Sequence, residues 1–478
     1  MTVVLIIATL STLAGFLFVE NSSERFFNLD YIFAIVQGIF TVSGLALLDI
    51  NVPGNDQYVV ILCLPFFIYC FTSFAMRLMS KRAVRNQTGK NISTASKVVV
   101  VPTRRRVLVV GLCLLSIAVV SAYYIAVGYN VFFDSMMASL RGDGLVEDVA
   151  SRRFDTYSQD NYLFPGYVNQ FKNILLPATS AVIIHWMYVR GSKFRFLTSA
   201  SLVIITVFAL LGTGQRAAFV YAAGVVVVFV FYVSPSLFRR WAPLGGIAAF
   251  SMFLLSTFFL GRDTERLDLA EGAFEQVWVV ASTAMSRFFV VSQETALIAF
   301  HYIKDLPIQN GREWLDSFRG ILPGYSGSTL SFEIYEVMFG TDRGTAPPSV
   351  WLSVFHNFGW IGIVAVPAVL AVAARLLVNQ FNKHQEVNSL EAVGYAGVSV
   401  IAGVWSTGSP MFLFNFGAVT FGFLWILGIL ERRQASSRLN CPRFPAASLS
   451  SRGGWLYAEE ARSRSQGAGV EDGGRAPR

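Results

Sequence analysis

The stretch 196-FLTSASLVIITVFALLGTGQRAAFVYAAGVVVVFVFYV-233 decides the fold class. Two runs long enough and apolar enough for lipid are joined by 212-GTGQR-216, and one arginine closes the joint. A cation in hydrocarbon is costly, so Arg216 must reach a membrane surface or a wet, protein-lined cavity. Working outward, similar runs recur at 1–19, 31–50, 58–78, 107–127, 169–188, 242–260, 351–375, 391–407 and 411–430, which makes eleven with the opening pair. Each is near the roughly 20 residues a helix needs to cross about 30 Å of hydrocarbon. Over the 478 residues, 54% are hydrophobic and only 14% charged, which excludes an ordinary soluble domain. The expectation is an all-α polytopic membrane protein with about eleven transmembrane helices.

Charge sets the expected orientation. The formal net charge is +8, but the basic residues lie mostly in short loops, so topology rather than nucleic-acid binding accounts for them. Loop 79–106 holds Lys81, Arg82, Arg85, Lys90, Lys97, Arg104, Arg105 and Arg106 and no acid, and is read as cytoplasmic. Counting spans from it puts 190–195, 237–240, 376–390 and the tail inside. The N-terminus, 51–57, 128–168, 213–216 and 261–350 fall outside. The first run lacks a basic n-region and is read as a retained span. Residues 1–430 thus form one transmembrane domain, and 431–478, poor in apolar residues towards its end, reads as a disordered cytoplasmic extension. Cys63, Cys70, Cys113 and Cys441 are scattered and suggest neither a zinc site nor a disulfide framework.

Polarity concentrates in the two external loops. Loop 128–168 mixes Arg152, Arg153, Asp155 and Asp160 with Tyr157, Tyr162 and Tyr167, a combination that binds sugars by ring faces and charged groups; a plain solvated loop is the competing reading. Trp351, at the mouth of a span, joins these glycan candidates. Loop 261–350 is too long to be structureless. Within it 273–303 reads as a helix with Arg287, Glu294 and His301 on one face, lying along the membrane, dipping into it, or turning a polar stripe to water. The segments 310-NGREWLDSFRGILPGYSG-327 and 339-FGTDRGTAPPSVWLSVFHNFGWIGI-363 are irregular yet aromatic, as in a folded loop that lines a site. No nucleotide loop, HExxH pattern or acidic metal motif is present in the sequence, so no cofactor or metal is expected.

The GTGQR joint, GREWLDSFRGILP and HNFGWIG, together with the large late loop, resemble bacterial O-antigen and oligosaccharide repeat-unit polymerases, which are related to O-antigen ligases. The repeated arginine–glycine pattern of some members is absent from this sequence. The resemblance implies a membrane glycosyltransferase of GT-C type in the bacterial inner membrane, acting on its outer face on undecaprenyl-diphosphate-linked oligosaccharides. It also implies a flippase and a chain-length regulator of the same pathway as candidate partners. The growing glycan moves from its lipid diphosphate to a new lipid-linked unit, so no nucleotide is consumed. Forked, permanently charged guanidinium groups suit the leaving diphosphate. Arg216 is the first candidate, then Arg287 and Arg312, then Arg319 and Arg343. His356 is the candidate base, with Glu333 or Glu336 as alternatives and His301 behind them; His185 and His384 fall towards the cytoplasmic side. A ligase-like transferase to another acceptor, a lipid-linked glycan flippase and a membrane scaffold are the alternatives. Against the flippase stands the near absence of ionisable residues inside the apolar runs.

Overall fold

The structure, a computed structural model, describes residues 2–21, 27–49, 51–87, 98–100, 106–141, 167–259, 272–322, 325, 327–341, 344–383 and 386–439. The helices are α1 (Thr2–Asn21), α2 (Leu29–Leu47), α3 (Asn55–Gln87), α4 (Arg106–Val127) and α5 (Val131–Arg141). A π-helical turn, Gln170–Leu175, leads into α6 (Leu176–Val189), followed by α7 (Arg195–Leu211), α8 (Arg216–Val233) and α9 (Pro235–Phe259). Next come α10 (Ala273–Ser286), α11 (Ser292–Ile303), α12 (Arg312–Arg319) and α13 (Leu330–Phe339). The chain continues with α14 (Val350–Asn382), α15 (Ser389–Gly403), α16 (Phe412–Asn415) and α17 (Ala418–Leu439). Contacts group the chain into Met1–Arg432, which holds nearly all of this architecture, and Arg433–Arg478.

The protein is a mostly helical, multi-pass membrane protein. Among the described residues, six helical segments are long and apolar enough to cross a bilayer: Thr2–Val19, Leu29–Leu47, Asn55–Met79, Arg106–Val127, Arg216–Val233 and Val350–Asn382. The other apolar runs are helical but shorter, interrupted or charged at one end. Helix α7 has 17 residues. A π turn precedes α6, Pro243 lies inside α9, and α15 has 15 residues. The last run breaks at Gly417 (φ 84°) between α16 and α17.

Between helices in lipid, close packing replaces the hydrophobic effect, and small residues let backbones approach. A Cβ at Gly394 of α15 would collide with the backbone of Trp425 on α17, and one at Gly428 with the backbone of Glu391. On the same side of the bundle Phe381 stacks on Tyr395 at 3.7 Å, with Tyr232 edge-on to both. A second core joins α2, α3, α11, α13 and α14 through Phe33, Tyr69, Phe300, Ile334 and Trp351.

Two charges are buried at the ends of the apolar runs. Asp30 of α2 and Arg375 of α14 pair at 3.0 Å with side chains 0% and 1% exposed. Tyr69 of α3 donates to the second carboxylate oxygen at 2.8 Å. Opposite charges far apart in sequence neutralise one another once three helices pack, which offsets their desolvation.

Contacts between linkers show which ends of the helices lie together. Val131 N donates to Gly212 O at 2.8 Å. Lys172 Nζ donates to Thr213 Oγ1 at 2.9 Å. Tyr167 OH donates to Ile321 O at 2.9 Å, and His301 Nε2 lies 3.0 Å from Asn55 Oδ1. The start of α3, the α7–α8 joint and the α11–α14 connection therefore share one end. Elsewhere β1 (Val98–Val100) pairs in parallel with β2 (Glu386–Asn388), joining two loops that the charge count puts on the cytoplasmic side. That grouping fits one membrane side for each set of loops.

Candidate functional site

The path from α10 to α14 builds a cleft. Residues 273–303 are helical throughout, with a π turn at Arg287–Val291. The helix sinks one face into the bundle: Gln293 Nε2 donates to Phe40 O at 2.8 Å and to Ser43 Oγ at 3.0 Å. Its far end, α10, leaves Phe274 and Trp278 exposed. Helix α14 begins with Ser349 as N-cap and breaks at Gly359, whose φ of 58° and ψ of −151° only glycine adopts comfortably. The break follows His356 and Asn357 by one turn or less. A Cβ at Gly359 would also meet Ile308 Cδ1 at 2.9 Å, so the break seats the α11–α12 linker. Gln309 N then donates to His356 O at 2.9 Å.

The cleft has a volume of about 470 Å³ and is lined by Gln309, Arg312, Glu313, Asp316, Arg319, Tyr325, Ser328, Thr329, Glu333 and His356, among others. Four sequence candidates thus come together: His356, Glu333, Arg312 and Arg319. His356 is 7% exposed, and its Nδ1 is buried with no hydrogen-bond partner among the described residues. Glu333 accepts from Thr329 Oγ1 at 2.7 Å and from Tyr302 OH at 3.0 Å. Burial, and then the bond to Glu333, holds the Tyr302 hydroxyl above its ordinary pKa. Both arginines are already engaged: Asp316 lies 3.8 Å from Arg312 and 3.4 Å from Arg319. A diphosphate at either must compete with that carboxylate.

Other candidates lie elsewhere. Arg216 is half-buried at the first residue of α8, after Gly214 (φ 70°), and does not line the cleft. The joint it belongs to connects with the cleft wall indirectly. Gln170 Nε2 donates to Phe414 O at 2.8 Å, and Phe414 meets Phe318 of α12 at 5.4 Å. Tyr167 is 44% exposed beside Ile321. Glu336 is exposed on α13 and outside the cleft. His301 is half-buried at the end of α11; burial and then Lys304 hold its pKa below the ordinary value, against a smaller opposing effect of Asp305. His185 lies on α6, 3.4 Å from Ser389 of α15. Trp351 departs from its expected role: it is 1% exposed in the core, with its indole N–H on Gln37 Oε1 at 2.8 Å, so neither ring face is open to a sugar. The backbone of Arg287 opens the π turn, but its side chain lies outside the described residues, as do Arg152, Arg153, Tyr157, Tyr162, Arg343 and His384. The 431–478 extension is described only to Leu439, where it continues α17.

Two residues stand out only in the structure. Glu313, 9% exposed, accepts hydrogen bonds from Ser317, Ser328, Ser353 and Asn357. In sequence it is one more acid in the first turn of a short helix. Lys172, 1% exposed, gives its amine to Thr213 beside Arg216. A lone lysine inside QFKNILLPATS was a usable signal, since ionisable groups in apolar runs are functional candidates by default. Among the described residues no group of three or more His, Cys, Asp or Glu is placed to hold a metal ion. Comparison with protein-family models, with curated proteins and with solved structures finds no match for the chain.

Proposed function

We propose that the protein polymerises undecaprenyl-diphosphate-linked oligosaccharide repeat units by glycosyl transfer at the outer face of a bacterial inner membrane, on a GT-C-like fold of about eleven spans. The observation that carries the reading is one cleft at one end of a multi-pass bundle, lined by His356, Glu333, Arg312 and Arg319. In this mechanism the acceptor hydroxyl attacks the anomeric carbon while His356 takes its proton. The new glycosidic C–O bond forms as the sugar–diphosphate C–O bond breaks, and the electron pair leaves with the lipid diphosphate. Arg216, the first candidate by sequence, is proposed as a cation for that diphosphate; Arg312 and Arg319 are the candidates that line the cleft itself, each beside Asp316. Charge stabilisation there acts where charge develops in the transition state.

The deciding experiment is purified protein in lipid with a defined undecaprenyl-diphosphate oligosaccharide. A product ladder supports polymerisation, a single addition to another acceptor supports a ligase, and intact donor with either acceptor sinks both. The buried Asp30–Arg375 pair is the one observation that favours a flippase. Donor movement across proteoliposomes, undiminished in His356→Gln and without any product, would establish that reading instead.

A further inference from the structure

We infer that Glu313 is a positioning residue whose carboxylate fastens the Gly327–Thr329 segment of the cleft to the helices that carry Arg312 and His356. A carboxylate offers about four lone-pair sites, and Glu313 has a donor for each. Ser328 Oγ donates to Oε1 at 2.9 Å and Ser317 Oγ to Oε1 at 3.4 Å. Ser353 Oγ donates to Oε2 at 2.8 Å and Asn357 Nδ2 to Oε2 at 2.7 Å. The donors come from three parts of the chain: α12 itself, the α12–α13 connection, and α14 on both sides of His356.

Among the described residues this buried carboxylate has no ion-pair partner. The arginine in front of it and the one at the end of its helix both turn to Asp316. A buried acid that serves only to neutralise a cation would not be built this way. Its burial is offset chiefly by hydrogen bonds. The arrangement has a mirror at the next residue. Ser328 goes to Glu313 on α12, while Thr329 goes to Glu333 on α13, 2.7 Å away. Adjacent hydroxyls thus bond to acids on two different helices, α12 and α13. Gly320 and Gly327 lie close together at the same place: a Cβ on Gly320 would stand 2.6 Å from Gly327 Cα. Ser353 is fixed in turn by Trp314 Nε1 at 2.9 Å, so the α12–α14 angle depends on the same knot. Misplacing a wall of a reaction site by about 1 Å can cost about a hundredfold in rate, which makes such a knot a determinant of acceptor alignment.

The test uses the full chain in lipid nanodiscs, with Glu313→Ala and Glu313→Gln compared. Glutamine keeps an acceptor oxygen, and serine hydroxyls can reverse to accept from its amide. Hydrogen exchange at the amides of Gly327–Leu330 is expected to accelerate roughly tenfold in Glu313→Ala, as befits one or two lost buried hydrogen bonds, and to return most of the way in Glu313→Gln. Unchanged exchange in a folded Glu313→Ala protein overturns the inference. If Glu313→Ala does not fold, Ser328→Ala removes one arm, and unchanged exchange there overturns it equally. The kinetic arm rests on the transferase reading. The acceptor KM is expected to rise roughly tenfold in Glu313→Ala, with kcat changed less and recovery in Glu313→Gln. A kcat collapse at constant KM in both variants would make Glu313 a proton-transfer group and overturn the positioning role. Absent turnover in the wild type would defeat the transferase reading while the exchange result still decides this one.

Discussion

At the scale of single residues, His356 and Arg216 carry the proposed chemistry from different places. His356 is held by its backbone and walled by Glu313's ligands, with a ring that faces the cleft lining. Replacing it by glutamine keeps hydrogen bonding but not proton acceptance. Donor binding is expected to persist while transfer falls by roughly 10²–10⁴-fold, measured by single-turnover assay. Near-normal turnover in His356→Gln with collapse in Glu333→Gln would move the base to Glu333. Arg216→Lys keeps charge but loses the planar fork, so turnover is expected to drop at least tenfold with normal membrane insertion, and Arg216→Ala further. Full polymer yield from both would reduce Arg216 to an interfacial anchor. His301 offers a test through stability. Burial holds its folded pKa below the ordinary value, so the unfolded chain protonates first as pH falls. Stability is therefore undiminished above about pH 6.5 and declines as pH falls through that value towards the lower folded pKa. His301→Gln is expected to flatten the fall in melting temperature between about pH 7 and 5; an unaltered slope would assign acid sensitivity elsewhere.

At the scale of elements, the break in α14 decides the site. As an unbroken helix, Val350–Asn382 would run about 50 Å, longer than the hydrocarbon core needs. Gly359 ends the first segment, and next to it His356 meets the α11–α12 linker while Asn357 bonds to Glu313 of α12. Gly359→Ala forces a side chain into φ 58°, ψ −151° and against Ile308. It is expected to cost about 1–3 kcal/mol and to lower the melting temperature of the detergent-solubilised protein. Pro367→Ala, lower in the same helix, serves as the comparison; equal behaviour of the two variants would remove the special role of Gly359.

At the scale of the whole molecule, the pairing of linkers makes a topology that labelling can examine. Cysteines placed at Asp56, Asp155 and Asp342 in a cysteine-free background are expected to react with an impermeant thiol reagent in intact spheroplasts. Those at Lys90 and Lys193 should react only after lysis. Labelling at position 90 before lysis would invert the map and put the cleft on the cytoplasmic side. The expected orientation comes from loop charge; the pairing of β1 with β2 adds that Val98–Val100 and Glu386–Asn388, both expected on the cytoplasmic side, lie together.

Membrane character, helicity and the positions of the apolar segments were legible in the sequence, because lipid demands long apolar helices with their backbone bonds satisfied internally. So was the concentration of candidate groups near 312–356, since polar and irregular chain stands out against apolar runs. Depth and partnership were not legible, because they depend on which faces meet. Trp351 read as a sugar platform and became core when α2 brought Gln37 to its indole. Asp30 and Arg375, 345 residues apart, became a buried pair only when α2 packed on α14. Glu313 looked like an ordinary first-turn acid until Ser328, Ser353 and Asn357 converged on it. Composition and periodicity specify an element through neighbours along the chain; a site is made by neighbours in space, and those were decided by tertiary packing alone.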